Sequence, residues 1–577
     1  MEASRPLAAH LSSPSSLSKL QHALQRSRVC WLRPAGLRFM SSGQGEADKK
    51  RLHYDLCVIG AGPGGWAGAV RGWDLGKKTC VIESRGGLGG VAVWGGAIGG
   101  KVMLEVGKGL RRARPHLKGE AAATADGGVW AEVRRRTRLA MLERATQLDQ
   151  QLISLGQTRR FNRPTLKRAE KSGTIQKWKG DARFLSPNEV SVGENLVIEA
   201  NHFLVATGSI PIPLPKFPAD GEYIVTTQQL LKSAETIPQS VIILGGTVLG
   251  CETATLLASL GTPKIHVINS EAALFPDDDA DIAAFAMDSL ERDGVHVHHQ
   301  SYLEFAKIHP EEKLIECRIV HTRWSQNVEA GGHAVPHRHH QPHKHRGSRS
   351  AEHVYFAGDI LGKLGLSAVA EMQGRYAVEH MFSQQYAVKP SYDGLCTVMH
   401  INPEVAFVGM CEEEARRRDL PHIVAKIVLE NCASGLIKKY STFLPSVEYG
   451  EKVEDPFEVP ESSLGFVKIV VLNDESQRLL GVRCAGEGAR SVIQAAAILI
   501  ESRQHVRALA RSSHPFPSIL EALQECVRMV LGTSIHKHHL IPDNTTYIRT
   551  YVPSGKMFYE GSEDEHVDRP TVPTYLR

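Results

Sequence analysis

The chain contains two places where a short apolar run leads into a glycine-rich turn and then into small residues. The first apolar run covers residues 56–59 and the second covers residues 241–244. Each is followed, after a helix-length interval, by another segment predicted to be a strand: the apolar run 79–82 and the segment 264–268. Apolar runs of this length beside glycines are typical of buried parallel strands that alternate with helices. The pattern therefore predicts two β-α-β units.

The remaining pattern predicts further elements around these units. After the first unit we expect helices at 101–110 and 130–148, a small antiparallel meander at 189–192 and 195–198, and a separate strand at 202–206. After the second unit we expect a strand at 354–356 and a helix at 367–382. From residue 393 the chain becomes rich in β patterns: strands are predicted at 397–400, 424–430, 465–472 and 479–485, and helices at 491–502 and 519–531. No element is expected after residue 542.

The first glycine turn has the spacing G-x-G-x-x-G, at Gly60, Gly62 and Gly65. In such a turn the first glycine allows the tight bend, the second lets a pyrophosphate approach, and the third lets the helix pack on the strand. The following strand ends on Glu83, where an acid accepts hydrogen bonds from a ribose hydroxyl. This order of features predicts a dinucleotide site, although a nucleotide-free α/β crossover stays open as the alternative.

The second glycine turn is altered. Gly245 and Gly250 keep their positions, but Thr247 replaces the middle glycine, and the next strand ends on Asn269 instead of an acid. A threonine side chain hinders the approach of a pyrophosphate to the backbone. Two interpretations remain: a weakened dinucleotide site, or a structural α/β unit without a working nucleotide site.

Length, charge and composition set limits on the function. The chain has 577 residues, which predicts several domains, and 42% of them are hydrophobic. The formal net charge of +5 is small for this length and gives no support to nucleic-acid binding. The sequence has no run of about 18 apolar residues, so no membrane span is expected.

The first fifty residues are rich in arginine and serine, and Glu2 is the only acid before Glu46. This composition is typical of a mitochondrial transit peptide and predicts import into the matrix. A disordered basic tail is the alternative. The ten cysteines are scattered and form no C-x-x-C pair, which argues against a disulfide scaffold or a zinc ribbon.

Residues 321–350 form an unusual basic segment in which histidines are crowded. A metal-binding tract is one interpretation, and a solvated loop or an unreliable stretch of translated sequence is the other. We favour the second and predict no metal site, because no helix or strand pattern fixes the geometry of ligands. The histidines are His333, His337, His339, His340, His343 and His345.

With these motifs, the chain resembles the pyridine nucleotide–disulfide oxidoreductase family, and within it the dihydrolipoamide dehydrogenase type. The resemblance rests on five motifs in order: GAGPGG at 60–65, ATGS at 206–209, GGTVLGCE at 245–252, FAGD at 356–359 and NPEVAFVGMCEEEA at 402–415. It implies an α/β chain with two Rossmann-like dinucleotide-binding domains, for FAD and NAD(P), and a C-terminal α+β dimerisation domain that forms a homodimer. The implied divisions are 1–52 for the targeting segment, 53–220 with 351–392 for FAD, 221–350 for NAD(P), 393–541 for dimerisation and 542–577 for the tail.

The resemblance also implies site residues. Lys101 and Glu252 match a pair that lies beside the reactive atoms of flavin and nicotinamide, and His514 matches a proton-handling histidine. FAD binding is implied for Gly60, Gly62, Gly65, Glu83, Lys101, Thr207, Gly208, Ser209 and Asp359. Binding of the nicotinamide dinucleotide is implied for Gly245, Gly250, Glu252 and Asn269.

Two departures from the family pattern change the expected chemistry. The redox cysteine pair is replaced by Ala92 and Ala97, and a dithiol relay cannot work without its two sulfur atoms. The carboxylate expected five residues after His514 is replaced by Ile519, while Glu521 lies two residues further along. Hydride transfer between nicotinamide and flavin needs neither group.

The sequence therefore predicts a mitochondrial FAD-dependent NAD(P)H oxidoreductase whose disulfide step is lost and whose acceptor is not a disulfide. Two alternatives stay open. One is a catalytically inactive subunit of a mitochondrial multi-enzyme complex. The other is ordinary dihydrolipoyl dehydrogenase chemistry, if the sequence at 90–101 is misread.

Overall fold

A computed structural model describes most of the chain. The predicted targeting segment before residue 49 and the histidines from His337 to His345 lie outside the described residues. The structure describes residues 49–85, 87–113, 125–157, 173–211, 214–233, 237–321, 325–330, 332–336, 352–362, 364–442, 464–535, 537, 546–553 and 556–559.

The first sheet is built around the first predicted β-α-β unit, and its strand order is β3-β2-β1-β6-β5-β4. β1, β2, β3 and β6 are parallel, while β5 pairs antiparallel with β6 and with β4. The elements are β1 (Lys50–Ile59), α1 (Pro63–Asp74), β2 (Lys78–Glu83), α2 (Gly90–Trp94), α3 (Ala97–Ala113), α4 (Ala125–Gln157), β3 (Thr174–Lys179), β4 (Ala182–Ser186), β5 (Glu189–Val192) and β6 (Leu196–Val205).

The second predicted unit forms a four-stranded parallel sheet with strand order β13-β7-β8-β9, and a three-stranded antiparallel sheet, β10-β11-β12, accompanies it. Its elements are α5 (Thr227–Ser233), β7 (Ser240–Leu244), α6 (Val248–Leu260), β8 (Lys264–Ile268), α7 (Ala280–Arg292), β9 (Val295–His298), β10 (Ser301–His309), β11 (Leu314–His321), β12 (Ser325–Ala330) and β13 (Gly332–Pro336).

The chain then returns to the first sheet through β14 (Val354–Phe356), which pairs parallel with β6, and α8 (Ser367–Phe382). It ends in a seven-stranded sheet with the order β15-β16-β19-β18-β17-β20-β21. The elements are β15 (Cys396–Met399), β16 (Val405–Gly409), α9 (Glu412–Arg417), β17 (His422–Val428), α10 (Ala433–Thr442), β18 (Phe466–Leu472), β19 (Leu479–Ala485), α11 (Ala489–Ser502), α12 (Arg507–Arg511), α13 (Leu520–Val530), β20 (Tyr547–Val552) and β21 (Lys556–Tyr559).

The predicted fold class is confirmed, and four predictions about elements are wrong. Strand β1 begins at Lys50, inside the segment assigned to targeting. The two strands predicted at 195–198 and 202–206 are one strand, β6, because it stays paired with β1 across the polar residues between them. Part of the histidine-rich segment is not a loop, since β12 and β13 lie in it and His333 pairs with Val241 of β7. The tail contains β20 and β21.

A buried cluster of charges joins helix α7 to the last sheet. Lys468 of β18 is 1% exposed. Its ammonium lies 3.1 Å from a carboxylate oxygen of Asp279, 2.8 Å from one of Asp281 and 2.7 Å from one of Glu412. Arg549 of β20 also pairs with Glu412. Because a buried charge is costly without a partner, this cluster depends on all of its members being present.

We expect Lys468→Met to lower the free energy of unfolding by about 3–5 kcal/mol, because the carboxylates would remain buried without their shared cation. Urea denaturation of the purified protein measures this change. Arg418→Ala is the control, since it removes an exposed pair with Glu414 and should cost less than about 1 kcal/mol. Equal losses in the two variants would contradict the role assigned to Lys468.

The same cluster predicts loss of stability in acid. Burial raises the pKa of Glu412, but Lys468 and Arg549 outweigh burial and lower that pKa from 4.5 to about 2. Because the folded pKa is lower than the unfolded one, the stabilisation is complete above pH 4.5 and is lost as the pH falls towards 2. Unfolding free energies measured between pH 7 and pH 2.5 should decline below pH 4.5, and Lys468→Met should flatten this decline.

Candidate functional site

The first glycine turn connects β1 to helix α1, and packing explains two of its three glycines. Gly60 has φ +100°, and a Cβ atom there would lie 2.4 Å from the carbonyl oxygen of Ala206. A Cβ atom at Gly65 would lie 1.9 Å from the carbonyl oxygen of Gly60. A Cβ atom at Gly62 would meet only the Cα of Gly90, at 3.8 Å. The protein itself leaves the space above Gly62 open, as the approach of a pyrophosphate requires.

Glu83 lies at the end of β2 and faces this turn. One of its carboxylate oxygens accepts a hydrogen bond from the backbone N–H of Ala61 at 2.9 Å, and the other accepts one from the N–H of Arg85 at 2.9 Å. These bonds fix the carboxylate beside the N-terminus of α1, which no side chain caps. Each oxygen keeps a lone pair with which it can accept a hydrogen bond from a ribose hydroxyl.

A cavity of about 580 Å³ opens above this turn and gathers most of the residues predicted to bind FAD. The predicted residues in its lining are Gly60, Gly62, Glu83, Thr207, Gly208, Ser209 and Asp359. Two other predicted residues, Gly65 and Lys101, are not in this lining. Gly65 lies beneath the turn, where it allows helix α1 to approach β1. The hydroxyl of Ser209 donates a hydrogen bond to a carboxylate oxygen of Asp359 at 3.3 Å. The cavity therefore joins the ends of β1, β2 and β6 to the segment after β14.

The two alanines that replace the redox cysteines line the same cavity. Ala92 lies on α2, and Ala97 begins α3. Trp94 lies between them in the wall, where its indole N–H donates to the carbonyl oxygen of Leu88 at 2.9 Å. No sulfur atom is among the residues that line the cavity in the described part of the chain. Methyl groups therefore occupy both positions from which a dithiol would act.

Cys57 and Cys80 are neighbours on β1 and β2, but they do not replace the missing pair. Their register places them opposite each other, and both side chains are buried in an apolar core of the first sheet. Burial raises the pKa of the Cys80 thiol well above its usual value. A buried, protonated thiol is a poor nucleophile, so this pair is best explained as core packing.

Lys101 and Glu252 meet as the resemblance implies. The ammonium of Lys101, on α3, lies 2.9 Å from one carboxylate oxygen of Glu252, on α6. The backbone N–H of His400 donates to that same oxygen at 2.8 Å. Burial lowers the pKa of Lys101, and Glu252 opposes this shift. The contact of His400 with Glu252 was not predicted from the sequence, because a hydrogen bond from a backbone N–H does not depend on the identity of the side chain.

The second glycine turn has the same backbone shape as the first, but Thr247 stands at the position of its middle glycine. Gly245 has φ +114°, and a Cβ atom at Gly250 would lie 2.0 Å from the carbonyl oxygen of Gly245. Thr247 is the N-cap of α6, and its hydroxyl accepts a hydrogen bond from the N–H of Gly250 at 3.3 Å. The threonine thus bonds to a helix N–H group that a pyrophosphate would otherwise use.

Asn269 is buried and already hydrogen-bonded. Its amide nitrogen donates to the carbonyl oxygens of Glu271, at 3.2 Å, and Ala273, at 3.0 Å, and it lies 3.1 Å from a ring nitrogen of His299. A Cβ atom at Gly246 would lie 3.0 Å from the amide oxygen of Asn269. The structure therefore places Asn269 as a support for the loop beneath Gly246 and not as a group exposed to a ribose.

The structure does not bring His514 together with a carboxylate. Its Nδ1 atom is buried and has no hydrogen-bond partner among the described residues. The nearest acid along the chain, Glu521, also has one buried carboxylate oxygen without a described partner. The role of His514 as a base remains a prediction.

The comparisons with known proteins agree with this geometry. Residues 54–374 match the model of the pyridine nucleotide-disulphide oxidoreductase family, and residues 451–527 match the model of that family's dimerisation domain. The first match alone covers more than half of the chain. Among the helices that the structure describes, none has the length and hydropathy required to cross a membrane.

Relatives of the dihydrolipoyl dehydrogenase type align over most of their length. A dihydrolipoyl dehydrogenase of Bacillus subtilis is 27% identical over 83% of this chain and 99% of its own. The mitochondrial dihydrolipoyl dehydrogenase of Schizosaccharomyces pombe is 26% identical over 86% of this chain and 92% of its own.

Solved structures share the fold at low identity. LpdA of Mycobacterium tuberculosis has a TM-score of 0.66 and 22% identity, covering 82% of this chain and 99% of its own. The HOCl-induced flavoprotein disulfide reductase RclA of Escherichia coli has a TM-score of 0.65 and 18% identity, covering 83% and 100%.

The capped second turn leads to a prediction about affinity for the dinucleotide. We expect Thr247→Gly to tighten NADH binding by about tenfold, because it frees the N–H of Gly250 and removes the side chain from the approach path. Titration of NADH by fluorescence quenching measures the change. Thr247→Ser retains the hydroxyl cap and should bind NADH as the wild type does. Equal affinity in Thr247→Gly and the wild type would contradict this explanation.

Proposed function

Because the chain belongs to the pyridine nucleotide-disulphide oxidoreductase family, we propose that it is a dihydrolipoyl dehydrogenase-like, FAD-dependent NAD(P)H oxidoreductase that has lost its disulfide step. The observation that carries this proposal is the pair Ala92 and Ala97 in the wall of the cavity. The family uses FAD and a nicotinamide dinucleotide. Flavin, when bound, supplies the capacity to take a hydride from the nicotinamide and to pass electrons to an acceptor.

The first site fits FAD. The open space above Gly62, the uncapped N-terminus of α1 and the carboxylate of Glu83 are the features that a bound pyrophosphate and ribose require. We propose that Thr207, Gly208, Ser209 and Asp359 hold the remainder of the cofactor. The second site fits less well, because Thr247 and Asn269 already have hydrogen-bond partners within the protein.

Lys101 and Glu252 form the charged pair of the proposed site. Their ion pair is partly buried, with side chains 37% and 17% exposed, at the junction of α3 and α6. We propose that this pair sets the local electrostatics where the nicotinamide and the flavin ring meet. Lys101 in this position favours negative charge on a neighbouring ring, and Glu252 holds Lys101 in place.

The side chains in the cavity wall limit which electron acceptors the protein can use. Two methyl groups and the Trp94 indole provide neither a nucleophile nor a sulfur leaving group, so a disulfide cannot be reduced by exchange. An acceptor that takes electrons directly, such as a quinone, a dye, oxygen or a second nicotinamide, needs no such group. We propose an acceptor of this kind.

A second candidate function is that of an inactive subunit in a mitochondrial complex. The hydrogen bonds of Thr247 and Asn269 favour it, because they use groups of the second turn that a dinucleotide would need. Both candidates share the proposed location in the mitochondrial matrix, homodimerisation through the C-terminal domain, and the domain divisions 50–220 with 351–392, 221–350 and 393–559, adjusted for strands β1, β20 and β21.

The visible spectrum distinguishes the two candidates. We expect purified protein to be yellow and to bleach when NADH is added without oxygen, while dihydrolipoamide is not oxidised. A colourless protein would support the inactive subunit instead. Turnover of dihydrolipoamide by the wild type would contradict the loss of the disulfide step.

Restoring the sulfur atoms provides a matched test. We expect the variant Ala92→Cys with Ala97→Cys to show a thiolate-to-flavin absorption band on partial reduction, because both positions line the flavin cavity. The variant Ala92→Ser with Ala97→Ser has side chains of similar size without sulfur and should show no band. If the cysteine variant shows none either, the two positions do not face the flavin.

A further inference from the structure

Three histidines form a cluster on one face of the four-stranded sheet, away from the cavity. His266 lies on β8, and His296 and His298 lie on the neighbouring edge strand, β9. The strand register places His266 directly opposite His296, and His298 opposite Ile268. Because successive side chains alternate between the faces of a sheet, the three imidazoles point to the same side.

The rings are in close contact. The Nδ1 atom of His266 lies 3.0 Å from the Nε2 atom of His298. The ring of His266 is stacked between those of His296 and His298, with centroids 5.2 Å apart in both cases. His299, the next residue along the chain, is excluded from this cluster because its ring contacts Asn269.

Partial burial of the cluster favours the neutral form of the His266 and His298 imidazoles. Burial lowers the pKa of His266 to about 4, and burial also lowers the pKa of His298. Neutral imidazole nitrogens are the form that binds metal ions. Lys264, two residues before His266 on β8, is the cation that faces the cluster from its own strand, and it also lowers the pKa of His266.

The distance between the two nitrogens indicates which ions fit. An ion about 2.0–2.1 Å from both nitrogens would see them at an angle of about 90°. This angle suits the square-planar or octahedral coordination of Cu²⁺ and Ni²⁺ better than a tetrahedral site. The ring of His296 stacks on that of His266 at the exposed edge of the pair.

We propose that His266, His298 and His296 form a binding site for a divalent transition-metal ion of the Cu²⁺ or Ni²⁺ type at the edge of this sheet. The site does not depend on the proposed redox function. Its position links it to the second glycine turn, because the N–H of Asn269 donates to the carbonyl oxygen of His298 at 2.8 Å. Bound metal would fix β9 against β8 directly beside that turn.

Another group of potential ligands carries no such proposal. Asp278, Asp279 and Cys411 lie close together. Arg483 already pairs with Asp278 and Lys468 with Asp279, so this group belongs to the buried cluster of charges.

Binding of Ni²⁺ to untagged full-length protein tests the proposal. To remove competing histidines, all chains carry the changes H339Q, H340Q and H343Q. We expect equilibrium dialysis to show about one Ni²⁺ fewer per chain when H266Q and H298Q are added. H309Q is the matched control, because His309 lies in the neighbouring sheet and pairs with Glu316, and it should lose no Ni²⁺. Equal binding with and without H266Q and H298Q would overturn the proposal.

A second measurement uses the wild-type protein, so that misfolding of a variant cannot affect the result. Ni²⁺ should slow the modification of His266 and His298 by diethyl pyrocarbonate, as mapped by peptide mass spectrometry, while His309 should react at the same rate with and without the ion. Unchanged rates at His266 and His298 would also overturn the proposal.

Discussion

One carboxylate oxygen of Glu252 holds three parts of the chain together. It accepts hydrogen bonds from the ammonium of Lys101 on α3 and from the backbone N–H of His400, directly after β15, while Glu252 itself belongs to α6, which follows the second glycine turn. A single acceptor that satisfies donors from two other regions fixes their separation to within hydrogen-bond tolerance. The positions of both glycine turns relative to the C-terminal sheet depend on this contact.

The proposed loss of the disulfide step is compatible with this fold. The residues that differ from the family pattern, Ala92, Ala97 and Thr247, are small and cause no strain where they lie. Ala92 and Ala97 line a cavity, and Thr247 caps a helix. The contacts that define the architecture involve other residues, such as Glu252 and Lys468. Lys468 serves the architecture alone, while Glu252 also forms the polar pair with Lys101 at the site.

Much of the fold and part of the site follow from the sequence, for physical reasons. The end of β1, at 56–59, and residues 241–244 of β7 are continuous apolar runs, which are easily recognised as buried parallel strands. Strands at the edges are different, because polar residues occupy their exposed faces: β9 reads as Val-His-Val-His, and β13 lies in a histidine-rich segment. The role of Thr247 as an N-cap agrees with the preference of threonine for that position.

Other features were beyond sequence reasoning because they join distant residues. Lys468 stands in an apolar run, which indicates a buried charge with a partner, but Asp281 lies 187 residues away. Asn269 keeps the chain position of a ribose ligand while its side chain supports a loop, and only the contacts of the loop reveal this. His400 acts through its backbone, for which residue identity carries no signal.

The last strand of the large sheet has a consequence for biosynthesis. Arg549, on β20, supplies one of the cations that surround Glu412, and β20 pairs along β17. Until residue 547 and those after it have been translated, β17 of the C-terminal domain has an open edge and Glu412 lacks this arginine. Because unpaired strand edges attract other chains, the nascent protein is exposed to aggregation until β20 has been synthesised and has paired, and chaperone protection matters most in that interval.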